Sequence, residues 1–204
     1  MYQLYGVSPT SRCQKAARLM LIFRGFNGMP EAPEPKPLLE ALTWHDENSR
    51  SARAARIDWA SSLYQSTGLV AGKIVPLSLM EEARVSFVNG QFMASVLCAT
   101  SVVEHLLVDE LVARGLHNGK PTLGTSIGAA RSAQIFPAEM LNRMEELNNL
   151  RNPIAHHRDP LDASTLVSRF LSHKVHPNTL MERDSRFALE VMYDLFRSVL
   201  KPGV

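Results

Sequence analysis

Cysteine is scarce in this chain: Cys13 and Cys98 are the only two in 204 residues. Two thiols cannot build a disulfide framework, and neither stands in a CxxC or Cys/His pair with the spacing of a zinc site. Disulfide-stapled and zinc-ribbon folds are thereby excluded, and a reducing, cytoplasmic setting is the expectation. Long apolar runs are missing as well. Leu19 to Phe23 is far too short to span a bilayer, and Arg12, Lys15, Arg18 and Arg24 are interleaved with it, which reads as neither a signal peptide nor a membrane helix. Nor does either sign of charge dominate, since 22 Lys and Arg face 20 Asp and Glu for a net charge of +2. A dedicated nucleic-acid coat is excluded by that balance, so any basic surface must be local. No stretch alternates β-branched with polar residues for long, and no internal repeat is visible. An all-α helical bundle is the architecture left.

What is present is enough apolar material for a real core, with 45% hydrophobic residues. The spacing predicts a short basic amphipathic helix over residues 11–24. It is followed by a linker from Gly25 to Pro37, where two glycines and four prolines rule out a regular element. A helix is expected from about Glu47 to Val70, carrying Arg50, Arg53 and Arg56 within one third of its circumference. From Ser78 to Arg114 the period is helical, with Phe87, Phe92, Val96, Ala99, Val103, Leu106 and Leu107 on a broad stripe and a break at Asn89-Gly90. A glycine-rich loop from Gly115 to Gly128, a short helical stretch to Phe136 and a break at Pro137 come next. Leu161–Leu171 and Asn178–Leu200 supply two further amphipathic helices. The organisation read from this is an N-terminal helical extension with a Pro-rich linker over residues 1–75 and a helical bundle domain over residues 76–204.

One run stands out, Leu147-Asn148-Asn149-Leu150-Arg151-Asn152-Pro153-Ile154-Ala155-His156-His157. Arg151 follows Leu147 by four and Met144 by seven, which puts a guanidinium on their apolar face, where it needs an anionic partner. Proline disfavours the α conformation in the residue before it, while asparagine is a favoured N-cap and proline a favoured first helical residue. One helix is therefore expected to end near Arg151 and another turn to start at Pro153. Five residues of unbroken helix would rotate His156 about 140° away from Arg151, and a kink can bring the two together. Glu104, with Leu97, Thr100, Leu107, Val108 and Leu111 at helical-neighbour spacings, is expected at the edge of the packed face. Glu104 with Arg151 is the ion pair this suggests, because leaving either charge buried alone is costly.

The helix bearing Phe87-Val88-Asn89-Gly90-Gln91-Phe92 and leading to a glutamate, followed later by Leu-Arg-Asn-Pro-Ile-Ala-His, resembles the HEPN superfamily. The resemblance covers roughly Ser78 to Leu200. Arg151, Asn152 and His156 match that family's signature of an arginine, a polar residue just after it, and a histidine after four to six intervening residues, here four. It implies an all-α bundle, usually dimeric, whose active members are metal-independent ribonucleases needing no cofactor. It also implies that two copies of the motif meet across a dimer interface, so that one sequence supplies both an acid and a base. Metal-free RNA cleavage needs a base for the ribose 2′-hydroxyl, a cation for the phosphorane-like transition state and an acid for the leaving oxygen. Imidazole suits either proton carrier and guanidinium suits the phosphate oxygens, which assigns His156 and Arg151. Asn152 would orient the phosphate or the imidazole, Glu104 would hold Arg151, and the products would be a 2′,3′-cyclic phosphate and a 5′-hydroxyl.

Arg158 continues the polar run past His157 and is a candidate phosphate contact. A branch of the family that partners a minimal nucleotidyltransferase carries a modified tyrosine at that position, so such control is not expected here; an inhibitor or antitoxin protein remains open. The Arg50, Arg53, Arg56 stripe could guide an RNA backbone or be a solvated face. His173 and His176 have no acidic or thiol partner at useful spacing, and no metal site is assigned. Two functions stay in view. One is a cytoplasmic homodimeric endoribonuclease of toxin or defence type. The other is a non-catalytic helical dimer that binds nucleic acid or a partner protein, in which Arg151 only locks the bundle, His156 is an interface histidine and Asn152 is only an N-cap.

Overall fold

The computed structural model describes residues 37–63, 74–116, 119, 122–159 and 161–200. The expected basic helix at 11–24 and the linker that follows lie outside these residues, except for Pro37. Among the described residues there are seven helices and no strand: α1 (Leu38–Leu63), α2 (Ile74–Val88), α3 (Phe92–Ala113), α4 (Leu123–Ser132), α5 (Ala138–Ala155), α6 (Leu166–His173) and α7 (Pro177–Val199). The described fold is all-α. The chain divides into two compact units, residues 1–49 and 50–204. In the first, residues 37–49 are described, and the opening turns of α1 expose Leu38, Leu39 and Leu42.

The second unit is built around α3. Ten of its residues are buried, from Phe92 to Leu111, because its apolar stripe is wide enough to meet α2 and α7 on its flanks and α4 and α5 beside them. Leu106 and Leu107 from α3 share the core with Phe87, Leu141, Met144, Leu147, Leu189 and Leu195, all fully buried. Among the described residues, three hydroxyls are enclosed in this core with no hydrogen-bond partner, those of Ser95, Ser126 and Ser185.

The expected break at Asn89-Gly90 is the corner between α2 and α3. Gly90 has φ +78°, its amide donates to the Phe87 carbonyl at 3.0 Å, and the Gln91 amide donates to the Ser86 carbonyl at 2.8 Å. These paired bonds close a helix end through a left-handed residue, a conformation that glycine adopts without a Cβ penalty. Arg56 seals the same corner: its Nη1 donates to the Val88 carbonyl at 2.7 Å and its guanidinium lies over the Phe92 ring at 5.3 Å. Trp59 packs on Phe87 at 5.0 Å between centroids, and Arg186 of α7 covers the Trp59 ring at 4.5 Å. Arg56 is thus a structural residue, and the expected arginine stripe does not form a uniform free face.

Other boundaries differ from expectation for identifiable reasons. α1 starts nine residues before Glu47. α4 includes Gly124 and Gly128, which the sequence placed in a loop, because Thr122 and Thr125 form a reciprocal cap at its start and Leu123, Ile127 and Ala130 bury against the core. The largest correction is at Pro153. α5 does not end at Arg151 but runs through the proline to Ala155. Pro153 lacks the amide that would have bonded to the Asn149 carbonyl, yet only two helical residues remain after it, and Ile154 packs on the core. Packing thereby overrides the local preference against helix at Asn152.

Candidate functional site

Leu141, Met144 and Leu147 anchor α5 in the core, and the same face emerges toward the surface at its C-terminal turn, where Leu150, Arg151, Asn152 and Ile154 are half-buried. The helix ends at His156, which takes an extended backbone conformation of φ −131° and ψ 140° while its amide still donates to the Asn152 carbonyl at 3.0 Å. That departure from helical geometry, rather than a kink at Asn152-Pro153, brings the imidazole back to Arg151. Arg151 Nη1 and His156 Nε2 are 3.1 Å apart.

The direction of this bond follows from chemistry. A guanidinium has donors and no acceptor, so Nε2 must accept through its lone pair. In this arrangement His156 is the neutral imidazole with its proton on Nδ1. The pair therefore joins a fixed cation to a proton acceptor, with the ring exposed and the guanidinium half-buried. A phosphate oxygen arriving here would meet a charge-assisted donor and a proton carrier within one hydrogen-bond length of each other.

The other expected members stand differently. Asn152 lies inside the helix, so it is not an N-cap, and its half-buried side chain is one residue from Arg151. Glu104 is half-buried on α3, as expected for an edge position. Among the described residues, however, no ion pair joins it to Arg151. Both side chains keep partial access to water, which removes the need that pairing would have met. Arg158 is exposed beyond the helix end. Its charge reaches Asp162, whose carboxyl is held below the usual range mainly by the Ser164 hydroxyl and amide and to a lesser degree by Arg158. Cys98 is no nucleophile candidate, because burial pushes its thiol up and the Glu82 carboxylate at 3.9 Å adds to the effect. Among the described residues, no three His, Cys, Asp or Glu side chains gather as they would for a metal ion.

One feature close to the motif in sequence escaped the reading of the chain. An open groove of about 470 Å³, lined by Leu150, Arg169, His173, Arg183, Asp184 and Phe187 among others, lies where α5, α6 and α7 meet. Arg169 and Asp184 form a two-bond fork across it at 2.6 and 2.7 Å, with Asp184 buried. The Asp184 carboxylate holds the Arg169 guanidinium above its ordinary range. Leu166, Arg169, Phe170 and His173 fall on one face of α6 in the sequence, and an arginine among apolar residues there needs an acid.

No helix among the described residues is long and apolar enough to cross a membrane. No family model matches the chain, and no curated protein or solved structure is significantly similar to it.

Proposed function

We propose that this protein is a metal-independent endoribonuclease of the HEPN type, with Arg151 and His156 as its central residues. The observation that supports this reading is the 3.1 Å contact between Arg151 Nη1 and His156 Nε2, which couples a phosphate-binding cation to a base in the acceptor state. In the proposed reaction Arg151 turns to the scissile phosphate and stabilises the charge that develops on its oxygens. His156 Nε2 takes the proton of the ribose 2′-hydroxyl, the resulting oxygen attacks phosphorus, and the bond to the 5′-oxygen breaks. A second protonated imidazole, from another copy of the chain, gives the leaving oxygen its proton. Asn152 and Arg158 are assigned to positioning the RNA backbone, while Glu104 is not needed to hold Arg151. A toxin or defence role under an inhibitor protein, in the cytoplasm, fits such an activity.

The test is incubation of the purified chain with mixed cellular RNA in chelator, beside His156→Ala. Fragments bearing 2′,3′-cyclic phosphate and 5′-hydroxyl ends are expected, with a loss of roughly 10²–10⁴-fold in the variant. Cleavage that persists in the variant removes His156 from the reaction. RNA that is bound but left intact by the folded protein favours the competing reading, a non-catalytic module using the same surface.

A further inference from the structure

The groove where α5, α6 and α7 meet carries charges that the fold leaves unmatched, and they are sorted by helix. α5 contributes Glu146, exposed and one turn before Leu150. α6 contributes Arg169 and His173, and α7 contributes Arg183. The acid on the α7 side, Asp184, is buried and accepts both bonds of the Arg169 fork. That fork orients the Arg169 guanidinium and leaves it further N–H donors. Glu146 and Arg183 line the same space, yet neither makes a hydrogen bond or ion pair with any described residue.

Leu150, Leu180 and Phe187 give the groove an apolar lining, and its volume of about 470 Å³ is that of sites which hold small organic groups. A matching ligand has hydrogen-bond donors at one end, negative charge at the other and a flat apolar body between. A zwitterionic amino acid satisfies the two charges and leaves the apolar lining bare. A nucleotide of an RNA strand has all three parts in its base edge, its phosphate and its ring faces. An ionised carboxylate only accepts, through two oxygens, so it bonds best to two N–H groups side by side. Among the four RNA bases, guanine alone has such a pair, N1–H and the N2 amine. Adenine and cytosine set one amine beside an acceptor nitrogen, and uracil sets one N–H between two carbonyls.

We infer that this groove holds a guanine base of the RNA strand and that Glu146 is the residue that selects it. The choice of RNA as the strand rests on the function proposed above. Leu150 of the groove and Arg151 of the candidate site are consecutive in α5. A strand whose scissile phosphate meets Arg151 therefore sets a neighbouring nucleotide into the groove. The base lies against Leu150 and Phe187 and gives N1–H and N2–H to the Glu146 oxygens. Arg183 and the remaining Arg169 donors take a phosphate of the strand, in the way a guanidinium fork suits phosphate oxygens. Stacking and phosphate contacts accept any base, and the carboxylate supplies the choice.

Strands methylated at every 2′-oxygen cannot be cut, so their binding separates recognition from cleavage. Fluorescence anisotropy of the full chain with uridine strands carrying one guanine, inosine or adenine is the measurement. Inosine is guanine without the N2 amine, and the guanine strand should bind about tenfold more tightly than the inosine strand through the lost bond to a charged acceptor. Glu146→Gln should bring the two strands to near-equal affinity. Arg183→Gln should weaken every strand and lower the salt dependence by about one phosphate contact. Glu146 is exposed and unpaired among the described residues, so Glu146→Gln keeps the fold, which its melting temperature checks. In mixed RNA, guanine should stand at one fixed position from the cyclic-phosphate ends. No binding of any strand, equal wild-type affinity for all three, a preference that survives Glu146→Gln, or displacement by a free amino acid overturns the guanine site. Fragments without a fixed guanine overturn it too and leave the proposed cleavage standing, whereas guanine-dependent binding without fragments upholds the site and overturns the cleavage.

Discussion

Arg151 can only donate, and that single constraint makes His156 the more informative member of the pair. With Nε2 accepting at 3.1 Å, the ring proton belongs on Nδ1. Nitrogen-proton correlation spectra of the imidazole should therefore show the Nδ1–H form for His156, and Arg151→Ala should move the proton toward Nε2. Unchanged spectra would mean the contact does not persist in solution. The residue types at this site were legible in the sequence, because charge, donor count and proton affinity travel with the side chain. Their partners were less so. Glu104 was correctly placed at a packing edge, but whether an edge carboxylate meets a particular guanidinium depends on where two helices from distant parts of the chain come to rest. Arg56 shows the same limit: its spacing suited a solvent-facing stripe, and only the fold brings it to the Val88 carbonyl and the Phe92 ring.

α6 is lightly secured. It is strongly amphipathic, yet none of its residues is fully buried, and it packs chiefly on α7. The fork between Arg169 and Asp184 is its strongest directional attachment. Asp184→Ala leaves Arg169 without its acid, and the expected loss is about 2–3 kcal/mol in urea unfolding, at the low end for a broken pair because Arg169 keeps some solvent access. Hydrogen exchange should show α6 amides losing protection while those of α7 keep it. Joint replacement by Arg169→Met and Asp184→Leu should recover most of the loss, and equal stability of wild type and Asp184→Ala would remove the fork's role. Helix existence was readable where apolar residues recur at helical spacing, as from Phe87 to Leu107 and from Asn178 to Leu200. Helix ends were readable where they carry their own chemistry, as at Gly90 and Pro137. They were misread where distant packing outweighs it, as at Pro153, whose missing amide costs one bond while Ile154 beside it packs on the core.

For the molecule as a whole, stability is a small difference between large terms, so the three enclosed hydroxyls matter. Ser95, Ser126 and Ser185 lie on α3, α4 and α7, each cut off from water and unbonded. Replacing any one by alanine removes an unsatisfied group and improves helix propensity, for an expected gain of about 1 kcal/mol per site. Thermal unfolding should register this as a rise of about 2–4 °C in Tm for a chain of this size. A fall would show that the hydroxyl is bonded in solution, as by an enclosed water. Such positions cannot be found from sequence, where a serine on a helix reads as solvent-facing until its neighbours are known. The bundle class followed from what the chain lacks, whereas the curvature at the end of α5 that defines the candidate site depends on the three-dimensional course of the backbone at His156. That curvature has a chemical consequence. With Arg151 Nη1 at 3.1 Å, the Nε2 lone pair of His156 is directed at the guanidinium and is open to another group only when Arg151 turns aside. Under the proposed reaction, an anion that draws Arg151 away would free that lone pair in the same movement, joining recognition to activation.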